Sequence, residues 1–218
     1  MNWTTGHILG GIILFILVTQ VIIRLIRKYC KFPIPAFMVA MIDNPIRRKI
    51  QPPGEMPSRH GITPGMTVLE VGPGNGTYTV ETAAHVGPTG KVITVDIEPK
   101  VIKRLKTRVF SENIPNIEGK IANVHHLPFA NGVFDAIYLI AVVGEIPNPE
   151  LALREFYRVL APSGTLAFSE LLPDPDYPSR RTLTKWANQA GFRIKDKLGN
   201  YFLYTLIFEK AKNKGRDG

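Results

Sequence analysis

The chain has 218 residues, which is enough for one domain with a substantial core and a smaller accessory segment. Its formal net charge of +9 favours an anionic partner: nucleic acid, a phosphoryl group or an anionic membrane. The single cysteine, Cys30, excludes an intramolecular disulfide and a thiolate metal cluster. No residue spacing typical of a metal site is found, so we predict no metal ligands.

Residues 1–30 are predicted to form a transmembrane anchor. The nearly unbroken apolar run over residues 8–26 approaches the ~20 residues that a bilayer-spanning helix needs. The basic residues beside this run all follow it, and the positive-inside rule then places the rest of the chain on the cytoplasmic face of a membrane. A buried core helix is the alternative.

Residues 31–62 are predicted to be a proline-rich, basic linker. Its apolar residues and the basic run Arg47–Lys49 either lie on anionic lipid or belong to a solvated segment. Cys30, beside the anchor, is a candidate for acylation, although an unmodified thiol is the commoner state. Because the positive charge stays close to the anchor, we predict no nucleic-acid partner.

Strand and helix patterns alternate over residues 63–210, which predicts βαβ units and a parallel sheet. Residues 211–218 are a charged tail. The first strand, residues 67–71, runs into glycines at alternate positions: Gly72, Gly74 and Gly76. Glycine allows a sharp turn and a close approach to a ligand, and the following helix offers free N–H groups. This turn is therefore a predicted site for a nucleotide-like or carboxylate-bearing cofactor.

Two acidic residues accompany the glycine turn. Glu70 precedes it, and Asp96 ends the next strand. Asp96 follows the glycine turn by about 20 residues, the sequence separation at which such folds place the acid that binds a ribose diol. The spacing is G-x-G-x-G, with Thr77 where the dinucleotide fingerprint has its last glycine. A nicotinamide-dependent oxidoreductase is therefore a disfavoured alternative.

Further motifs follow in order: Asn123–Phe129, the pair Phe134-Asp135 before an apolar strand, and Arg154–Gly164. With the glycine turn and Asp96, they resemble the class I S-adenosylmethionine-dependent methyltransferases over residues 63–210. The resemblance implies an α/β, Rossmann-like domain with a seven-stranded, mostly parallel sheet, helices on both faces and an antiparallel last strand.

The resemblance also implies S-adenosylmethionine as the cofactor. Asp96 would accept hydrogen bonds from both ribose hydroxyls, and Ile97 would pack on the adenine. Asn123 stands where many members of the family have an acid that accepts from the adenine amino group. The full set of implied cofactor-binding residues is Glu70, Gly72, Gly74, Asn75, Gly76, Asp96, Ile97, Asn123 and Val124.

Glu145 and Tyr177 are the candidate catalytic residues. Glu145 is the one ionisable residue in the apolar loop 141–147, where it would act as a base, hold a substrate amine or be a plain surface acid. This loop lacks the Asn-Pro-Pro-Tyr type of motif found in methyltransferases acting on amide or nucleobase nitrogens, which counts against nucleic-acid substrates. Tyr177 belongs to the segment after the fifth strand, at the same rim.

We predict a membrane-anchored methyltransferase acting on a membrane lipid, either a phospholipid or polar-lipid headgroup or an isoprenoid quinone precursor. The residues do not distinguish nitrogen, oxygen and carbon acceptors. One alternative is a methyltransferase for a hydrophobic small molecule or a membrane protein. Another is a membrane scaffold that binds the cofactor without catalysis.

Overall fold

The computed structural model of the chain describes residues 3–29 and 44–211. Several predicted features lie outside these ranges: Cys30 with its candidate acylation, residues 31–43 of the predicted linker, and residues 212–218 of the charged tail.

The first strand lies at residues 67–71, as predicted, and six further strands follow within the described residues. In chain order, the strands are β1 (Thr67–Val71), β2 (Lys91–Asp96), β3 (Ile117–Ile121), β4 (Phe134–Ile140), β5 (Leu160–Leu171), β6 (Phe192–Gly199) and β7 (Leu203–Lys210). The α-helices are α1 (Trp3–Tyr29), α2 (Pro45–Ile50), α3 (Met56–Arg59), α4 (Thr77–Val86), α5 (Pro99–Ser111), α6 (Pro149–Val159) and α7 (Arg180–Gln189). Short 3-10 turns occupy Pro53–Glu55 and Val143–Glu145.

The seven strands form one sheet in the order β3-β2-β1-β4-β5-β7-β6. The first five strands pair in parallel, and β7 runs antiparallel to both β5 and β6. The order reverses between β1 and β4, so the loops after these strands diverge and leave a crevice at the carboxyl edge of the sheet. The predicted Rossmann-like sheet with an antiparallel last strand is confirmed.

Helices cover both faces of the sheet, because successive strand residues point to opposite sides. Leu69 and Val71 of β1 pack in a core cluster that includes buried residues of α6 and α7. Val68, one residue before Leu69, points to the opposite face and packs in a second cluster with residues of α4. The strand is therefore buried on both faces, as a central parallel strand requires.

Residues 44–62, predicted as part of the linker, pack against the domain. Gln51, Met56, His60 and Ile62 are all buried. The Nε2 atom of His60 lies 2.8 Å from the Ser169 hydroxyl of β5. Burial, with a smaller effect from Arg59, lowers the pKa of His60 to about 3, so this imidazole is neutral in the folded protein.

The helix predicted at the N-terminus is present as α1. Across residues 3–29 and 44–211, however, no helix has both the length and the apolar character needed to cross a bilayer. The predicted transmembrane helix is therefore not supported.

Two basic residues of α1 contact the domain. Arg24 donates hydrogen bonds to the backbone carbonyls of Leu172 and Asp174. Arg27 is buried and forms an ion pair with Asp176. Both arginines thus fasten α1 to the segment that follows β5.

Candidate active site

The glycine turn after β1 is held by close packing against the loop after β4. Gly72 has a φ of +73°, a conformation that side chains rarely adopt. A Cβ atom at this position would lie 2.6 Å from Cγ2 of Val142. The Gly72 amide donates to the Val95 carbonyl of β2 at 2.9 Å. A side chain at residue 72 would therefore separate the turn from the β4 loop.

The rest of the turn is fixed by α5. Gly76 caps α4 with a φ of +76°, and a Cβ there would lie 2.7 Å from Cδ1 of Leu105. Asn75 accepts a hydrogen bond from Arg104 on its side-chain oxygen and from Arg108 on its carbonyl, at 2.8 and 3.0 Å. These contacts hold the backbone of the turn in one conformation, which a preformed cofactor site requires.

Glu70 lies beneath the turn and is 3% exposed. Its carboxylate accepts hydrogen bonds from the hydroxyls of Thr79 and Tyr138. Burial raises the pKa of Glu70 to about 7, against the effect of the two hydroxyls, and the nearby Asp96 raises it slightly further. A cationic ligand beside Glu70 would favour the ionised carboxylate.

Asp96 ends β2 at the next step along the sheet edge. One carboxylate oxygen accepts from the Glu98 amide at 2.8 Å, and acceptor capacity remains for a ligand. Burial raises the pKa of Asp96, with the Glu98 amide acting in the opposite direction. Ile97, beside it, is 53% exposed and borders a cavity at this edge of the sheet.

Asn123 and Val124 follow β3 at this edge. The Asn123 side-chain oxygen accepts from the His125 amide at 3.0 Å, so part of its acceptor capacity is already used. Both residues border the cavity.

A single cavity of about 520 Å³ joins these residues, a volume within the range of small-molecule sites. It is bordered by eight of the nine predicted cofactor residues: Glu70, Gly72, Gly74, Asn75, Asp96, Ile97, Asn123 and Val124. The ninth, Gly76, serves the packing of α4 on α5 instead. The close backbone approach at Gly72 and the carboxylate of Asp96 fit a cofactor that carries a ribose and an amino-acid group.

The other end of the cavity is formed after β4 and β5. Its apolar part consists of Ile140, Ala141, Val142 and Ile146, and its charged part of Glu145, Asp174 and Arg47. Gly144 allows the two loops to meet, since a Cβ there would lie 1.9 Å from the Asp176 carbonyl oxygen. This end can therefore take an apolar acceptor molecule with a polar group.

The two predicted catalytic residues have different places. Glu145 borders the cavity. Tyr177 does not, because its hydroxyl donates to the Tyr201 carbonyl and its ring packs against Tyr204, with 5.4 Å between ring centroids. A catalytic role for Tyr177 stays a prediction without support from its position.

Sequence reasoning missed Arg47 as a site residue. The basic run Arg47–Lys49 was interpreted as a lipid-facing or solvated surface. Only Arg47 of this run reaches the cavity, because successive residues of α2 point in different directions around its axis. The orientation of α2 on the domain determines which of these three residues points into the cavity. Residue types alone do not predict that orientation.

Comparison with known proteins identifies the domain. Residues 69–168 match a family described as "Methyltransferase domain". The chain is 34% identical over 140 residues to the ubiquinone/menaquinone biosynthesis C-methyltransferase UbiE of Klebsiella pneumoniae, a match covering 64% of this chain and 54% of the relative. It is 32% identical over 117 residues to the arsenite methyltransferase of Halobacterium salinarum, covering 54% of this chain and 30% of the relative.

Solved structures share the fold. A SAM-dependent methyltransferase from Aquifex aeolicus superposes with a TM-score of 0.76 at 22% identity, covering 81% of this chain and 98% of that one. The [4+2]-cyclase SpnF superposes with a TM-score of 0.66 at 16% identity, covering 74% and 80%. Because one of these proteins is a cyclase, the fold alone does not determine the reaction.

The sequence matches carry the conclusion. Residues 69–168 match a methyltransferase domain, and S-adenosylmethionine is the cofactor of that domain. Both sequence-based predictions are confirmed. The chain spans about half the length of UbiE and less than a third of the arsenite methyltransferase.

We expect Asp96→Asn to bind S-adenosylmethionine about 10- to 100-fold more weakly, because a charge-assisted hydrogen bond to a ribose hydroxyl is lost. Isothermal titration calorimetry measures the change. Asp196→Asn, the same substitution on the exposed face of β6, is the matched control and should bind like the parent protein. Parent-like affinity in Asp96→Asn would contradict the assignment of the ribose site.

Stability without cofactor should depend on pH through Glu70. The pKa of this carboxyl is raised from 4.5 to about 7 on folding, so its contribution to stability falls as pH rises between these values. The loss amounts to about 3 kcal/mol above pH 7. Glu70→Gln should therefore gain stability relative to the parent between pH 4.5 and pH 7.5 in urea unfolding.

His60 has the opposite pH dependence, since its lowered pKa makes stability fall as pH decreases below 6.5. The effect of His60 on stability is the same in the parent protein and in Glu70→Gln, so it cancels when the two are compared. Glu81→Gln, an exposed change of the same type on α4, should show no pH-dependent difference from the parent. An equally flat difference for Glu70→Gln would show that Glu70 has an ordinary pKa.

Proposed function

We propose that the protein transfers a methyl group from S-adenosylmethionine to a membrane lipid with a polar head, and that an isoprenoid quinone precursor is the favoured acceptor. The observation that carries this proposal is the cavity, which joins the cofactor turn to an apolar end bordered by Ile140, Val142 and Ile146. An apolar wall suits an acceptor ring or chain, and the charged groups beside it suit a polar head.

When bound, S-adenosylmethionine would supply an electrophilic methyl group on a sulfonium. An electron pair of the acceptor atom would form the new bond to this methyl, and the electron pair of the broken C–S bond would stay on sulfur. The chain's own residues align the two partners and exclude water. Glu145 is the carboxyl in the β4 loop and is only partly buried. We assign to it the proton released from the acceptor, or the hydrogen bond that orients the acceptor.

The choice of acceptor draws on the relatives. UbiE is named for ubiquinone and menaquinone biosynthesis and for carbon methylation, and it aligns with 64% of this chain. The arsenite methyltransferase points to a different substrate. Arsenic(III) is a soft centre that thiolates bind best, and this chain has a single cysteine. A quinone precursor is therefore the better supported acceptor of the two.

We further propose that α1 attaches the protein to a membrane, with the catalytic domain on the cytoplasmic face. Support comes from large apolar side chains that α1 leaves exposed, including Leu14 at 62% and Phe15 at 72%. Arg24 and Arg27 tie the same helix to the segment after β5, beside the cavity. An acceptor dissolved in the bilayer would thus have a short path to the site.

The function is tested with methyl-labelled S-adenosylmethionine and membranes from a strain that lacks the protein. We expect label in the lipid extract, in a prenylated ring compound. Label only in protein or RNA would reject the lipid proposal. Cofactor binding without any incorporation would favour the non-catalytic scaffold, and label in phospholipid headgroups would favour the second acceptor class.

Membrane attachment is tested by substitution on α1. Phe15→Glu should move a large share of the protein from the membrane pellet to the supernatant, since burying a charge in the apolar boundary is unfavourable. Phe110→Glu is the control, because Phe110 is 88% exposed and lies on α5 rather than on α1. Equal release by both variants, or by neither, would contradict attachment through α1.

A further inference from the structure

Arg47 is the only lysine or arginine among the described residues that border the cavity. It lies in α2, outside the residues that match the methyltransferase family. Its electrostatic neighbours are Asp174 and Glu170, at the carboxyl end of β5. The cofactor residues, in contrast, follow β1, β2 and β3. Arg47 therefore belongs to the acceptor end of the cavity.

The guanidinium of Arg47 has unused hydrogen-bonding capacity. Its Nε atom is buried and has no hydrogen-bond partner among the described residues. Arg24 and Arg27, close to the same segment, are instead bonded to carbonyl oxygens and to Asp176. Buried guanidinium groups are normally bonded to anionic or carbonyl oxygens in a planar fork. A partner supplied by a ligand would complete this group.

Burial favours the neutral form of the two carboxyl groups nearest to Arg47. Glu170 is 1% exposed, and burial raises its pKa well above the ordinary range, which favours the neutral carboxyl. Burial also raises the pKa of Asp174. Asp176 is neutralised by Arg27. Glu145 is the remaining carboxyl at this end, on the β4 loop.

We propose that Arg47 binds an anionic oxygen of the acceptor and so selects acceptors that carry one. This inference rests on the proposed function and deepens it. The oxygen belongs to an ionised ring hydroxyl or to a lipid phosphate, which share the negative charge that a guanidinium recognises. A ring hydroxyl held as its anion is also the stronger electron donor to its own ring. A cationic amine headgroup would be disfavoured by the same charge.

The test uses the full-length protein with S-adenosylhomocysteine and two probes. The first is 4-nitro-1-naphthol, whose absorption changes on ionisation, and the second is hexyl phosphate. The parent protein should lower the pKa of the bound naphthol by about one unit or more, since a cation within a few ångströms favours the anion. Arg47→Gln should abolish this shift and weaken naphthol binding about tenfold, and Arg47→Lys should restore part of it.

Lys49→Gln is the matched control: it removes the same charge from an exposed position of the same helix and should behave like the parent. If hexyl phosphate, rather than the naphthol, loses affinity in Arg47→Gln, the recognised anion is a phosphate. Unchanged binding of both probes overturns the proposal. An equal loss of S-adenosylhomocysteine affinity also overturns it, because Arg47 would then bind the cofactor.

Failure of this proposal can be distinguished from failure of the proposed function. The probe shift requires no turnover, so it would persist if no lipid became labelled. In that case the acceptor class would be wrong while the role of Arg47 stood. Conversely, labelled lipid with an unshifted probe would retain the function and reject the role of Arg47.

Discussion

The close approach of Gly72 to Val142 is the contact on which the site depends. It joins the turn after β1 to the loop after β4, the two strands between which the sheet order reverses. At such a reversal a crevice opens, and ligands bind there in open α/β sheets. Because residue 72 has no Cβ, the turn after β1 can pack directly against the loop after β4, and both border the same cavity. Proximity of cofactor and acceptor is what a methyl transfer chiefly requires from a protein.

The two halves of the cavity have different origins in the chain. The cofactor half comes from β1, β2 and β3 and lies within the residues that match the family. The acceptor half includes Arg47 from α2 and Asp174 from the segment after β5, both outside that match. Arg24 and Arg27 of α1 bind the same segment after β5. Two parts of the chain outside the family match, α2 and the segment after β5, therefore border this end of the cavity, and α1 contacts the second of them.

Sequence predicted the sheet well because its signals are local: apolar strands, a glycine turn and alternation of elements. It also placed Glu70, Asp96 and Glu145 on one cavity, since the carboxyl ends of parallel strands share an edge. It did not predict the burial of His60, because that burial depends on contacts with Ser169, 109 residues away. The position of Tyr177 after β5 predicts a side chain at the cavity. Contacts with Tyr201, before β7, and with Tyr204, in β7, hold this side chain away from the cavity instead.

The most direct test of the account is a crystal structure of the full-length protein with S-adenosylhomocysteine. The account predicts that the ribose hydroxyls lie on the Asp96 carboxylate and that the amino-acid part lies on the backbone of Gly72 and Gly74. The sulfur should then face the end of the cavity that contains Glu145 and Arg47. A ligand bound elsewhere, or with its sulfur directed away from that end, would contradict the account.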